Sequence, residues 1–466
     1  MVSFRLHLAA FLAYSFSFAA SVSRAAPPFA ELLDRATGVL PSKDSFYALP
    51  EDLESVKAGT VLRHRPPPNP IAAFGVLPAN VKASHQILYR TTDSLGNATA
   101  TVLTVLVPHK ADLSKVLSYQ VAEDAASIDC APSYAFQLDH QTGPDKGTML
   151  TQAELLLVGA ALERGWVVIV PDFLGPKGAF LANGMAGYAT LDGIRAAINS
   201  GSFTGIVKNP TVSMWGYSGG SLASLWAAEL QPSYAPELEI AGAAVGGTVP
   251  NITTAVMSVN GKGAAGLIPS GVVGLMNQYP ELVPVVDKHL RPRFRDAFYK
   301  VRRQCLRATT AQFRNLDVVG MFDDRNLMYT NPTVVKILEA NGLGKGAIPK
   351  IPLFVYKSLK DEISPIGETD ALVGHYCAGG GRIEYQRDEQ SMHNNLAIIA
   401  VPKALSWLIA TMEGKNQTGE CVTRTVFSSL LDRAALGVLP KILLDVLLDL
   451  LGKPVGPLME ETPDSA

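Results

Sequence analysis

Charge is scarce in this chain. Asp, Glu, Lys and Arg supply 18% of 466 residues and nearly cancel, leaving a formal net charge of −2. No block of like charge occurs, so neither nucleic acid nor electrostatic capture of an acidic surface is expected. Cysteine is also scarce. Cys130, Cys305, Cys377 and Cys421 are the whole set, and none forms a Cys-x-x-Cys pair, which argues against a zinc site. No metal or other cofactor is expected. Apolar runs long enough to span a bilayer are missing as well. Residues 8–20 are apolar but short, follow Arg5 and His7, and end in small residues. That is the pattern of a secretory signal over 1–20, with cleavage after Ala20 or as late as Ala25, rather than of a membrane anchor. Residues 427–451 are very apolar, but Lys441, Asp445 and Asp449 recur at helical spacing and argue against a span. They read as an amphipathic helix docked on the core, with a flap or interfacial surface as the alternative.

Secretion changes how the cysteines are read. An even number in an oxidising compartment suggests two disulfides, with three pairings possible. The sequons at Asn97, Asn251 and Asn416 permit glycosylation.

What is present is an apolar fraction of 47%, enough for a large core, and one Gly-x-Ser-x-Gly, at Gly216-Tyr217-Ser218-Gly219-Gly220. An apolar run, 211–215, precedes it, and a helical pattern, 221–230, follows. Strand, tight turn and helix make the context of a nucleophile elbow, in which the serine sits on a strained turn and the flanking glycines keep Cβ atoms out of the strand–helix junction.

Residues 26–80 read as irregular and proline-rich. An antiparallel hairpin follows, with strands at 85–90 and 100–107. Then strands at 116–121, 166–170, 212–215, 351–356 and 382–386 alternate with helices such as 151–164 and 186–199. This alternation predicts an α/β fold, a mostly parallel central sheet with helices on both faces. The hairpin suits an α/β-hydrolase sheet. No clear strand occurs over 246–342, where helices are expected at 270–276 and 293–304. This stretch is too long for one crossover and reads as an inserted helical cap or lid. The division is 21–245 with 343–425 for the core, 246–342 for the cap and 426–466 for the Leu-rich tail.

A serine hydroxyl needs a base, and the base needs an orienting carboxylate. In this fold the chain order is serine, acid, histidine. His393 follows the strand at 382–386, taken as the last of the sheet. His375 falls on the helix before that strand, and His289 falls in the cap. Asp361 follows the strand at 351–356; Glu362 beside it is the main competitor, and Asp370 falls on the next helix. The oxyanion requires donors. One is the Gly219 N–H. The other comes from Glu123-Asp124, as a backbone N–H or a protonated carboxyl, since an ionised carboxylate would repel the oxyanion.

An ordered series then resembles the fungal secretory lipase family: Tyr119-Gln120-Val121-Ala122-Glu123-Asp124 with Cys130-Ala131-Pro132-Ser133-Tyr134, Pro171-Asp172-Phe173-Leu174-Gly175-Pro176, Leu191-Asp192-Gly193-Ile194-Arg195-Ala196-Ala197, the elbow, Tyr356 with Asp361-Glu362-Ile363-Ser364-Pro365, and His393. The resemblance covers roughly residues 32–421. It implies an α/β-hydrolase whose cap carries an acyl-binding tunnel, a Ser218, Asp361, His393 triad, an oxyanion hole of Asp124 and Gly219, and disulfides Cys130–Cys305 and Cys377–Cys421. The Leu-rich tail departs from the family's C-terminal flap. The expected activity is hydrolysis of acylglycerols or related lipid esters, at or near a lipid–water interface, by a secreted monomer. A serine peptidase or amidase of the same fold and a non-catalytic secreted binding protein are the alternatives.

Overall fold

A computed structural model describes residues 38–73, 77–138, 148–415 and 419–429. The signal at 1–20, Asn416 and all but the first few residues of the tail lie outside the described residues.

Ten strands form one sheet: β1 Val61–Arg65, β2 Ala83–Thr92, β3 Ala98–Val107, β4 Asp112–Gln120, β5 Trp166–Pro171, β6 Thr211–Tyr217, β7 Ile240–Gly246, β8 Leu353–Ser358, β9 Ile383–Asp388 and β10 Val422–Val426. Their order is β1-β2-β3-β5-β4-β6-β7-β8-β9-β10. The pairs among β1, β2, β3 and β5 are antiparallel and all others are parallel. Alternate apolar residues along each strand face opposite layers. Val105, Ile169, Met214, Val245 and Val355 pack with α2 (Asn183–Asn199) and α3 (Gly219–Tyr234) on one face. Leu117, Val168, Trp215 and Phe354 pack on the other with α1 (Leu155–Leu162). This is the α/β-hydrolase arrangement.

Between β7 and β8, residues 247–352 contain α4 Ile252–Val259, α5 Leu267–Gln278, α6 Leu282–His289, α7 Leu306–Phe313 and α8 Pro332–Ala340. Among its residues no strand forms, only an isolated bridge between Leu290 and Phe322. Three more helices complete the core: α9 Ile366–Ala378, α10 His393–Ile399 and α11 Val401–Met412. Among the described residues no single helix is long and apolar enough to cross a membrane; α10 and α11 pass only as a pair bent by 50°. Val401, Leu405 and Leu408 of α11 are buried in the core against the sheet.

Several elements differ from expectation. Residues 61–65, expected to be irregular, form the edge strand β1, whose Arg63, His64 and Arg65 suit an edge and hide the strand from an apolar search. The strand β7, Ile-Ala-Gly-Ala-Ala-Val-Gly, is mostly Ala and Gly, with only Ile240 and Val245 β-branched. Its small residues are required by what packs on it: a Cβ on Gly246 would lie 2.1 Å from the Tyr356 ring. The strand at 382–386 is not the last, because the exposed edge strand β10 follows it. The helix expected over 151–164 breaks at Glu154, and that over 293–304 is split into short helical turns.

Two disulfides are present. Cys130–Cys305 joins the loop after β4 to the start of α7, across 175 residues, and Cys377–Cys421 joins the end of α9 to the start of β10.

Candidate active site

The turn between β6 and α3 places Ser218 at φ 52°, ψ −118°, a strained conformation for a residue with a Cβ. Neighbouring backbone makes the turn possible only with glycine at its base: a Cβ on Gly220 would lie 1.9 Å from the Gln120 carbonyl oxygen. The Ser218 N–H donates to the Gly246 carbonyl at 2.8 Å, which ties the elbow to β7.

Three loops at the C-terminal ends of parallel strands converge here. Ser218 follows β6, Asp361 follows β8 by three residues, and His393 opens α10 after β9. His393 Nε2 lies 2.9 Å from Ser218 Oγ, and His393 Nδ1 lies 2.7 Å from Asp361 Oδ2. Asp361 Oδ1 accepts the backbone N–H groups of Ile363 and Ser364, both at 2.9 Å. Burial alone would raise the Asp361 pKa, but hydrogen bonds and charge from His393 and Lys357 hold it well below the usual carboxylate range. The Tyr217 hydroxyl donates to the His393 carbonyl oxygen. This arrangement can pass a proton from the serine to the imidazole while the carboxylate holds the ring.

The competing residues have other partners. Glu362 Oε2 accepts the His393 backbone N–H at 2.9 Å, so it clamps the histidine rather than its ring. Asp370, on α9, pairs with the Tyr385 hydroxyl and Arg387. His375 is exposed on α9, and His289 pairs with Asp323 in the helical segment.

Asp124, four residues beyond β4, has φ 45° and is 7% exposed. Its carboxyl packs against the Gly219 backbone and lines the same cavity as Ser218. Burial pushes its pKa up to about 6, against the opposing charge of His393. When protonated, its carboxyl can donate a hydrogen bond, as an oxyanion would require. Three further carboxyls are buried beneath it. Burial pushes Asp172 up to about 7 although the Ser133 N–H donates to it at 2.9 Å, and pushes Glu154 up to about 8 despite the Tyr119 hydroxyl and Ala122 N–H. Glu123 is 1% exposed, its pKa is raised by burial and then by Asp172, and its Oε2 has no hydrogen-bond partner.

The cavity at Ser218 is apolar beyond its polar mouth. Leu222 and Ile363 of the core face α4 and α5 of the helical segment across it, with Val249 at the segment's entry. A second apolar cavity, reaching Val286, Phe322 and Met328, shares Val256, Ile268, Val272, Leu275 and Leu338 with the first. Their volumes are about 90 and 110 Å³. Typical ligand pockets span roughly 300–1,000 Å³, so neither cavity alone has the volume of one.

Asn97 is exposed in the turn between β2 and β3, and Asn251 caps α4 through the Thr254 N–H. Among the described residues no group of three His, Cys, Asp or Glu side chains could hold a metal ion.

Sequence reasoning missed Lys357. Its side chain is fully buried, 2.8 Å from Asp361 Oδ2. The signal was available: one charged residue inside the apolar run Leu353-Phe354-Val355-Tyr356-Lys357-Ser358.

A family model described as "Secretory lipase" matches residues 140–420. The chain is 49% identical to Lipase A of Arthroderma benhamiae over 90% of its own length and 89% of that protein's. It is 39% identical to Lipase 5 of Candida albicans, covering 84% and 85% of the two chains. Among solved structures it is similar to Candida antarctica lipase A, with a TM-score of 0.76, 30% identity, and coverage of 91% of this chain and all of that one.

Proposed function

The chain belongs to the secretory lipase family, and from that premise we propose that it hydrolyses acylglycerols or related lipid esters through an acyl-enzyme on Ser218. It is a lipase/esterase of the α/β-hydrolase fold. The observation that carries the catalytic reading is the continuous relay from Ser218 through His393 to Asp361, opening onto an apolar cavity.

In this reading Ser218 Oγ attacks the acyl carbonyl carbon as His393 Nε2 takes its proton. Asp361 stays ionised, holds the ring and stabilises the imidazolium. The carbonyl oxygen becomes an oxyanion that accepts from the Gly219 N–H and the protonated Asp124 carboxyl. Collapse of the tetrahedral intermediate breaks the ester bond, and His393 returns the proton to the departing alcohol. Water, deprotonated by His393, then attacks the acyl-enzyme and releases the acid. The helical segment 246–342 acts as the cap, its two adjoining cavities taking the acyl chain. The protein is exported on the leader at 1–20 and acts as a monomer, and Asn97 and Asn251 are acceptors for glycans.

The test is hydrolysis of p-nitrophenyl esters and triacylglycerols by wild type and Ser218→Ala, with labelling by a fluorophosphonate. The substitution should lower kcat by roughly 10⁴-fold or more and abolish labelling. Ester turnover that survives it would exclude this mechanism.

A further inference from the structure

The relay is part of a closed ring. Lys357 Nζ lies 2.8 Å from Asp361 Oδ2, the same oxygen that faces His393 Nδ1, and donates to the Thr248 carbonyl oxygen at 2.7 Å. The Thr248 and Ser221 hydroxyls are 3.1 Å apart, and the Ser221 hydroxyl donates to the Ser218 carbonyl at 2.7 Å. Ser218, His393, Asp361, Lys357, Thr248 and Ser221 thus enclose the reacting groups. Thr248 lies just beyond β7, at the entry to the helical segment.

A buried ammonium is an expensive way to fill space in an apolar strand. Its charge is opposed first by desolvation and sustained by Asp361. Replacing a buried ion pair with well-packed apolar groups is often neutral for stability, so stability alone is a weak reason for this lysine. Two of its three N–H donors are already directed, one to the triad acid and one to the root of the helical segment.

We propose that Lys357 is a positioning residue for ester hydrolysis, fixing the Asp361 carboxylate and offsetting its charge at the oxygen that meets His393 Nδ1. This rests on the reading of Ser218, His393 and Asp361 as the catalytic triad. The imidazolium is favoured by an unopposed carboxylate, and a cation on the same oxygen reduces that preference. The other charged or titratable groups facing this pair are Glu362, which accepts the His393 backbone N–H, Tyr217 beneath the ring, and Asp124 across it. Asp388, at the end of β9, acts on Tyr217 from the next strand. Lys357 is the one cation among them.

The experiment is the pH profile of kcat/KM for p-nitrophenyl butyrate with wild type, Lys357→Met and Lys357→Gln, alongside melting curves and fluorophosphonate labelling of Ser218. Loss of the cation should move the acid limb of both variants to higher pH by about one unit. Loss of positioning should lower plateau kcat of Lys357→Met roughly tenfold with KM nearly unchanged. The Gln variant keeps an amide donor without charge, so it should recover part of kcat but none of the limb shift. Should the Met variant fail to fold, the Gln variant alone decides. An acid limb superimposed on the wild-type one in a folded variant overturns the proposal. Wild type that fails to label at Ser218 overturns the triad reading instead, whatever the lysine variants do.

Discussion

The Asp124 carboxyl oxygen Oδ1 sits 2.1 Å from the point where a Cβ on Gly219 would stand. The residue after the serine must therefore lack a side chain for the Asp124 carboxyl to stay in place, which couples the two proposed oxyanion donors. Gly219→Ala has to push the carboxyl away. We expect kcat to fall by roughly 10²–10³-fold with a nearly unchanged melting temperature. Ester turnover close to wild type would show that Asp124 is not held where the oxyanion forms.

Asp124 must be protonated to donate. With its pKa raised to about 6, that donor is lost as pH rises through that value. Wild-type kcat/KM should fall across it. Asp124→Asn keeps a donor that does not ionise, and Asn tolerates the positive φ of this position. Its alkaline limb should flatten. A limb unchanged by the substitution would assign the fall to another group.

The buried carboxyls behind the site give a stability profile of definite sign. Asp172 is raised to about 7 from an unfolded value near 3.9. Below the unfolded value both states are protonated and its contribution is fully present. Between the two values the unfolded state ionises first, so stability falls as pH rises. Glu154, raised to about 8, extends the loss upward. Melting temperature should decline from acid to neutral pH, and Asp172→Asn should reduce the slope over pH 4 to 7. An unaltered slope would remove Asp172 from the account.

The two apolar cavities meet at Val256, Ile268, Val272, Leu275 and Leu338. Val272→Trp should close the passage between them. Turnover of palmitoyl esters should fall by roughly tenfold or more relative to butyryl esters, because long chains lose the second cavity. Equal losses for both chain lengths would mean that the acyl chain runs elsewhere.

Ser218, Asp361 and His393 were legible because topology orders them. Ser218 and Asp361 follow apolar strands of the parallel sheet, the strongest signal in the chain, and His393 follows β9, which alternates Ile383 and Tyr385 with polar residues. Most of the missed elements carry the wrong residues for that search. β7 is mostly Ala and Gly because Tyr356 and its neighbours need the space, and β1 and β10 are edge strands with polar or exposed residues. Lys357 reads as an interruption of β8 until its partners are seen. The breaks in the helices at 154 and within 293–304 depend on tertiary contacts that no local pattern contains. Glu154, at the break, accepts from the Tyr119 hydroxyl and the Ala122 N–H.

The Cys130–Cys305 bond has a mechanical consequence. The helical segment enters from β7 and leaves into β8, and Glu229 holds the exit by accepting the Gly344 and Gly346 N–H groups. Two attachments define a hinge axis about which a segment can swing. The disulfide adds a third, near its middle, anchored six residues from Asp124. Hydrogen bonds from Thr254 to Glu368 and from Asn183 to Asn341 add further attachments. The loop that carries Asp124 is therefore covalently registered to the helical segment, which opposes a rigid swing of that segment away from the oxyanion side of the site.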